Sequence, residues 1–109
     1  SAAAVAAALP WLHQAKAVRI LCADEYQRRG PKAEGIQAYL RWHGIDAELV
    51  PFKPQTRDVG AGLLGAVRDF GADMLSMGAY SHSRLRQLIL GGVTRHVLEN
   101  AEIPVLMCR

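Results

Sequence analysis

What most constrains this chain is the order of its hydrophobic patterns. Short apolar runs alternate with stretches of helical spacing along the whole sequence. "AVRILCAD" at 17–24 carries Val18, Ile20, Leu21 and Cys22 in nearly continuous succession, as expected of a strand buried on both faces. "DAELVPF" (46–52), "ADMLSM" (72–77) and "IPVLMC" (103–108) are further runs of strand length. Pro51 and Pro54 mark the second as an edge strand, because proline cannot donate to a ladder.

Four helices are predicted around these runs. The first covers 2–14 and is rich in alanine, the best helix former, with Pro10 expected to bend it or end it early. The second covers 32–43, with Ile36, Tyr39, Leu40 and His43 at helical spacing and Gly44 as its stop. The third begins near Thr56, an N-cap, with Asp58 in its first turn. Its apolar face is Val59, Leu63, Leu64, Val67 and Phe70, and Gly71 ends it. Gly60, Gly62 and Gly65 lie inside it, each costing roughly 1 kcal/mol relative to alanine. The fourth covers 93–100.

The order is α-β-α-β-α-β-α-β. It predicts an α/β fold with an open, doubly wound parallel sheet and helices on both faces. A length of 109 residues fits one domain, 1–109, and half of the residues are hydrophobic, enough for a core. In such sheets ligands gather at the C-terminal strand ends, here Cys22 to Glu25 and Met77 to Ser81.

The net charge of +3 suits an anionic small ligand. No dense basic run is interleaved with aromatics, so no nucleic-acid partner is expected. Cys22 and Cys108 lack CxxC spacing and read as reduced core thiols of a cytoplasmic protein. The opening run "SAAAVAAALPWL" is too short to cross a bilayer and has no basic stretch ahead of it, so no membrane partner is expected either.

The chemistry centres on "MGAYSHSRLRQLILGGVTRH", 77–96. Glycines stand at both ends of a basic loop, Gly78 at one and Gly91–Gly92 at the other, just ahead of a helix. Free N–H groups and the positive end of the helix dipole make such a place suited to phosphate. Arg84, Arg86 and Arg95 add charge with no acid expected nearby. The plainer reading is a tight strand-to-helix connection with solvated arginines. Ser81, His82 and Ser83 are adjacent in a loop and lack a GxSxG turn, so a catalytic reading fails. His13, His43 and His96 are scattered singly without metal-binding spacing, and His96 is expected on the exposed side of its helix. Asp24 and Glu25 would suit a ribose or magnesium, but exposed acids after a strand are common.

The wording "GADMLSMGAYSHSR" with "IPVLM" resembles the universal stress protein family, and the likeness extends over nearly the whole chain. It is similar to the C-terminal third of the second domain in bacterial tandem members. The resemblance implies an adenine nucleotide alpha hydrolase-like fold. The ATP-binding members carry Gly, two residues, Gly, nine residues, then Gly followed by Ser or Thr. Here those positions hold Gly78, Ser81, Gly91 and Gly92, so two of the four match. Ser81 has a Cβ that resists a left-handed backbone, and Gly92 lacks the phosphate-binding hydroxyl. Thr94 offers one two positions later.

The resemblance implies a regulatory stress-response domain, cytoplasmic and without turnover. Its phosphate candidates are Gly78, Ser81, Gly91, Gly92, Val93 and Thr94, and Cys22 and Met77 line the adenine pocket. ATP, with Mg2+ only as its companion, is the implied ligand, held through a weakened motif. The alternative is a dimerisation module that has lost ATP, which Ser81 and Gly92 favour. A slow ATPase is the third reading. Relatives dimerise through the last strand, which implies a homodimer through Pro104 to Cys108 or pairing with a tandem domain. Aligned on the family, the chain opens inside the first helix. The strand and acid that precede that helix in relatives have no counterpart, which predicts a gap in the middle of the sheet.

Overall fold

The computed structural model describes residues 2–23, 33–52, 59–78 and 92–108. The elements follow the expected order: α1 (Ala2–Leu12), β1 (Val18–Ala23), α2 (Ala33–Trp42), β2 (Ala47–Phe52), α3 (Val59–Phe70), β3 (Leu75–Gly78), α4 (Gly92–Asn100) and β4 (Val105–Cys108). The fold is α/β, and every ladder is parallel.

The ladders form two separate pairs, β1 with β2 and β3 with β4. Each pair is one βαβ unit, the first crossing through α2 and the second through α4. The first ladder runs from Val18↔Ala47 to Ala23↔Phe52, and the second from Leu75↔Val105 to Gly78↔Cys108. Among the described residues no ladder joins the two pairs. Among the described residues β2 is an edge, as its proline predicts, and Pro51 stands opposite Cys22.

The helices tie the units together. α2 and α3 both pack on β1 and β2. α3 also packs on α4, and α1 packs on β3 and β4. The Ser76 hydroxyl of β3 donates to the Ala4 carbonyl of α1 at 2.9 Å. The core among the described residues is supplied by Ala4, Ala8, Ala33, Leu40, Ile45, Leu64, Val67 and Val97. Ala4 and Ala8 lie one turn apart on α1, where small side chains let the helix sit close to its strands.

Two helices end as their sequences predict. Gly44 and Gly71 take φ of 78° and 73°, the left-handed region in which glycine has no Cβ penalty. At the first, Ile45 N–H donates to the Leu40 carbonyl at 2.8 Å and Gly44 N–H to Arg41 at 2.9 Å. At the second, Ala72 N–H donates to Val67 and Gly71 N–H to Arg68. Both are Schellman closures, which satisfy carbonyls otherwise left without partners. Leu40 and Ile45 are both buried, so the first closure is also a packing contact.

Three expectations change. α1 ends at Leu12, two residues short of the expected 14, with Pro10 inside its last turn; the chain then tightens, with Gln14 N–H donating to Trp11 and Ala15 N–H to Leu12. β1 is not buried on both faces, since Val18 to Cys22 are all half-buried; among the described residues it has one ladder partner instead of two, and it carries Arg19 near its N-terminal end. Tyr39, expected on the inner face of α2, is exposed and rests against the His43 ring at 4.7 Å. Thr56 and Asp58 lie outside the described residues.

Candidate functional site

The strand ends and the start of α4 place the described site residues. Cys22 is the fifth residue of β1 and faces Pro51 across its ladder; Met77 and Gly78 close β3 opposite Met107 and Cys108. Cys22 and Met77, expected to line one pocket, therefore sit on different ladders. Both are half-buried, and neither Cys22 nor Cys108 is in a disulfide.

β3 ends at Gly78 and α4 begins at Gly92, so the glycine loop runs from a parallel strand's C-terminal end to a helix N-terminus. Gly92 takes φ of 26°, a conformation that a residue with a Cβ adopts at a cost of roughly 1–2 kcal/mol. The residue that departs from the Ser/Thr position of the motif is thus one whose backbone favours glycine. Val93 and Thr94 occupy the first turn of α4 and are half-buried. Ser81 and Gly91 lie outside the described residues, as do Asp24, Glu25, Arg84, Arg86 and the Ser81–His82–Ser83 triplet.

Arg95 does not stand free of acids. Its Nε donates to Glu99 Oε1 at 3.0 Å, one turn along α4. An exposed pair at this spacing neutralises part of the charge expected to face an anion. His96 is also placed differently from expectation. It is half-buried and lies over Gly60 of α3, where a Cβ would stand 2.7 Å from His96 Cβ. Gly60 is thus a close-approach residue that lets α3 and α4 meet, and this seam sets the position of α4 behind the loop. Spacing could have suggested it, since Gly60 is at the start of the Leu64–Val67 face, but three glycines in one helix gave no way to single it out.

A second feature escaped the sequence reading. Arg19 of β1 stands opposite Glu48 of β2 in register, with Nη2 to Oε1 at 3.3 Å, and its guanidinium carbon lies 4.1 Å from the centroid of the Phe70 ring. This is a structural clamp at the N-terminal end of β1, away from Cys22. The signal was an arginine inside an apolar strand run. Among the described residues no cluster of three or more His, Cys, Asp or Glu could hold a metal ion.

The universal stress protein family model matches residues 2–109, nearly the entire chain. The chain belongs to the universal stress protein family. The universal stress protein Slr1230 of Synechocystis sp. is 49% identical over 41 residues, which are 38% of this chain and 14% of that protein. The match therefore spans a small part of the relative's own length. No solved structure matches the chain. For a universal stress protein domain, the parallel strands and the β3–loop–α4 connection are the parts of this structure on which a functional reading rests. No helix among the described residues is long and apolar enough to cross a membrane.

Proposed function

We propose that this universal stress protein domain is a regulatory module that binds ATP, with Mg2+ as its companion, at the 78–94 loop and does not turn it over. The observation that carries the reading is the path of that loop. It leaves β3 at Gly78 and enters α4 at a left-handed Gly92, so the N–H groups of Gly92, Val93 and Thr94 belong to the first turn of a helix. Those groups have no intrahelical acceptor and favour an anion. The Thr94 hydroxyl supplies the donor that Gly92 lacks. The Arg95–Glu99 pair engages Arg95 Nε and offsets part of its charge, so the backbone and Thr94 are the main described donors. A cytoplasmic setting fits this reading.

A second reading is dimerisation without nucleotide. It is favoured by β4, whose only ladder partner among the described residues is β3 and whose Val105, Leu106, Met107 and Cys108 are half-buried. An apolar strand with an open edge pairs readily with a second copy.

Titration calorimetry with ATP and Mg2+ on the folded chain separates the two. Saturable micromolar binding, weakened in Thr94→Ala, supports the nucleotide reading. No heat from a sample with native circular dichroism leaves the dimerisation reading, which sedimentation then tests. Phosphate release above background would overturn the absence of turnover.

A further inference from the structure

We infer that the outer face of α2 is an interface between two copies of this chain, which pack their α2 helices antiparallel about a two-fold axis between Ala38 and Tyr39. The inference rests on α2 alone. It is independent of the nucleotide reading and uses a surface other than β4.

α2 carries two stripes at helical spacing. The inner one seats the helix on β1 and β2: Ala33 and Leu40 are buried, Ile36 is half-buried, and Gln37 Nε2 donates to the Ala47 carbonyl of β2 at 2.8 Å. The outer one is Gly35, Ala38, Tyr39 and Trp42, spaced by three and four residues, and all four are exposed. At 3.6 residues per turn the two stripes lie on nearly opposite sides of the helix. Trp42 is 87% exposed and Tyr39 40%. A surface helix is expected to be apolar on one side and polar on the other. Apolar residues grouped on the solvent side mark a contact surface.

The order of sizes along the outer stripe selects a second copy as the occupant. Its small residues stand toward the N-terminal end of α2 and its large aromatics toward the C-terminal end. With the axis between Ala38 and Tyr39, an antiparallel pair sets Trp42 against the partner's Gly35 and Tyr39 against the partner's Ala38. Symmetry repeats both contacts, as an isologous interface requires. A parallel pair would instead set Trp42 against the partner's Trp42 and leave a hollow at the glycines. A Cβ built on Gly35 has nothing within 4 Å, so an indole has room above it. Glycine inside an exposed helix weakens that helix relative to alanine, and close approach of another chain is one use for it. Tyr39 already rests against the His43 ring, with centroids 4.7 Å apart, so less freedom is lost when it docks.

Charge points to the same arrangement. Glu34 and Arg41 are exposed and lie on one flank of the outer stripe. Neither is in an ion pair among the described residues. A two-fold antiparallel pair brings like flanks together, so Glu34 faces the partner's Arg41 and Arg41 faces the partner's Glu34. Two symmetric ion pairs then border the aromatic contacts and fix the register. A helix of ten residues from each copy covers less than a standard interface of about 1,600 Å². The association is therefore weak and depends on concentration, with Trp42 as its anchor.

The test is sedimentation equilibrium of the whole chain from about 10 μM to about 1 mM. The expected result is a reversible doubling of mass with a Kd on the order of 100 μM. Trp42→Ala should weaken that step roughly tenfold or more. Gly35→Gln should weaken it several-fold while raising the urea midpoint, because the new side chain fills the hollow yet favours the helix. Glu34→Arg and Arg41→Glu should each weaken it, and the two together should restore it, since the exchanged charges face each other again. All four positions are exposed, and circular dichroism checks that each variant keeps its fold. If no association step responds to Trp42→Ala, whether the chain stays monomeric or pairs elsewhere, as through β4, the proposal falls. A charge exchange that does not recover the loss from either single reversal overturns the antiparallel register.

Discussion

The two βαβ units share a topology and differ in how they are built. The first has two six-residue strands and a ten-residue helix. It buries Ala33, Leu40 and Ile45, closes α2 with a Schellman turn, and adds the Arg19–Glu48 pair across its ladder. The second has four-residue strands and a nine-residue helix whose only buried residue is Val97. It holds the candidate loop and the left-handed Gly92. One unit concentrates packing and helix closure; the other gives up strand length around the residues that would meet a ligand. The comparison teaches that stability and site are separable in this chain, and substitutions can test that.

The largest effect is expected at Leu40, which is 2% exposed. Leu40→Ala should cost about 2–5 kcal/mol, the transfer term plus a cavity. Val97 is 0% exposed but loses fewer atoms, so Val97→Ala should cost about 2 kcal/mol. Urea unfolding followed by circular dichroism measures both. A larger loss at Val97 would reverse the comparison and make the second unit the centre of stability.

The seam between α3 and α4 comes next. Gly60→Ala puts a methyl 2.7 Å from His96 Cβ, which no rotamer change relieves, and should cost about 1–3 kcal/mol as overpacking. Gly65, in the same helix, has nothing within 4 Å of a built Cβ. Gly65→Ala should instead gain up to about 1 kcal/mol through helix propensity. Opposite signs for two Gly→Ala changes five residues apart would establish that contact, not propensity, fixes this helix. Equal signs would remove Gly60 from the account of how α4 is placed.

These contrasts also mark what the sequence could and could not tell. Element order, the edge position of β2 and the stops at Gly44 and Gly71 were legible because each depends on local chemistry: proline without an N–H, glycine in a left-handed turn. The end of β3 at Gly78 and the start of α4 at Gly92 were legible from their glycines. The burial of β1, the place of His96 and the pairing of Arg95 with Glu99 were not. Each depends on which neighbour arrives from elsewhere in the fold, and an apolar run reads the same with one ladder partner as with two. Gly60, Gly62 and Gly65 looked alike as helix-weakening residues until tertiary contact distinguished the first.

Gly92 connects the comparison to the site. Gly92→Ser restores the hydroxyl of the nucleotide motif but sets a side chain at φ of 26°, at a cost of roughly 1–2 kcal/mol. The expected outcome is a lower unfolding midpoint with no gain in ATP affinity by calorimetry. A gain in affinity without loss of stability would mean that the backbone there relaxes freely, and the missing hydroxyl would become the main defect of the motif.

The smallest effect is expected at the ion pair that joins β1 to β2, the one across a ladder among the described residues. Glu48 and Arg19 are register partners, yet Glu48 is largely exposed and the pair is open to solvent on that side, so screening limits its worth. Glu48→Gln should cost about 0.5 kcal/mol or less, and the cost should shrink further in high salt. Arg19 differs, because its Nε is buried without a hydrogen-bond partner and its guanidinium lies on Phe70. Arg19→Leu removes an unsatisfied donor, which stabilises, together with a cation–π contact and the weak solvent-open pair with Glu48, which cost a similar amount in sum. Near-neutral stability, within about 1 kcal/mol, is therefore expected. A loss well beyond that would show that the guanidinium anchors α3 to the first ladder, and would make a charged side chain, beside Leu40, a principal support of the better-packed unit.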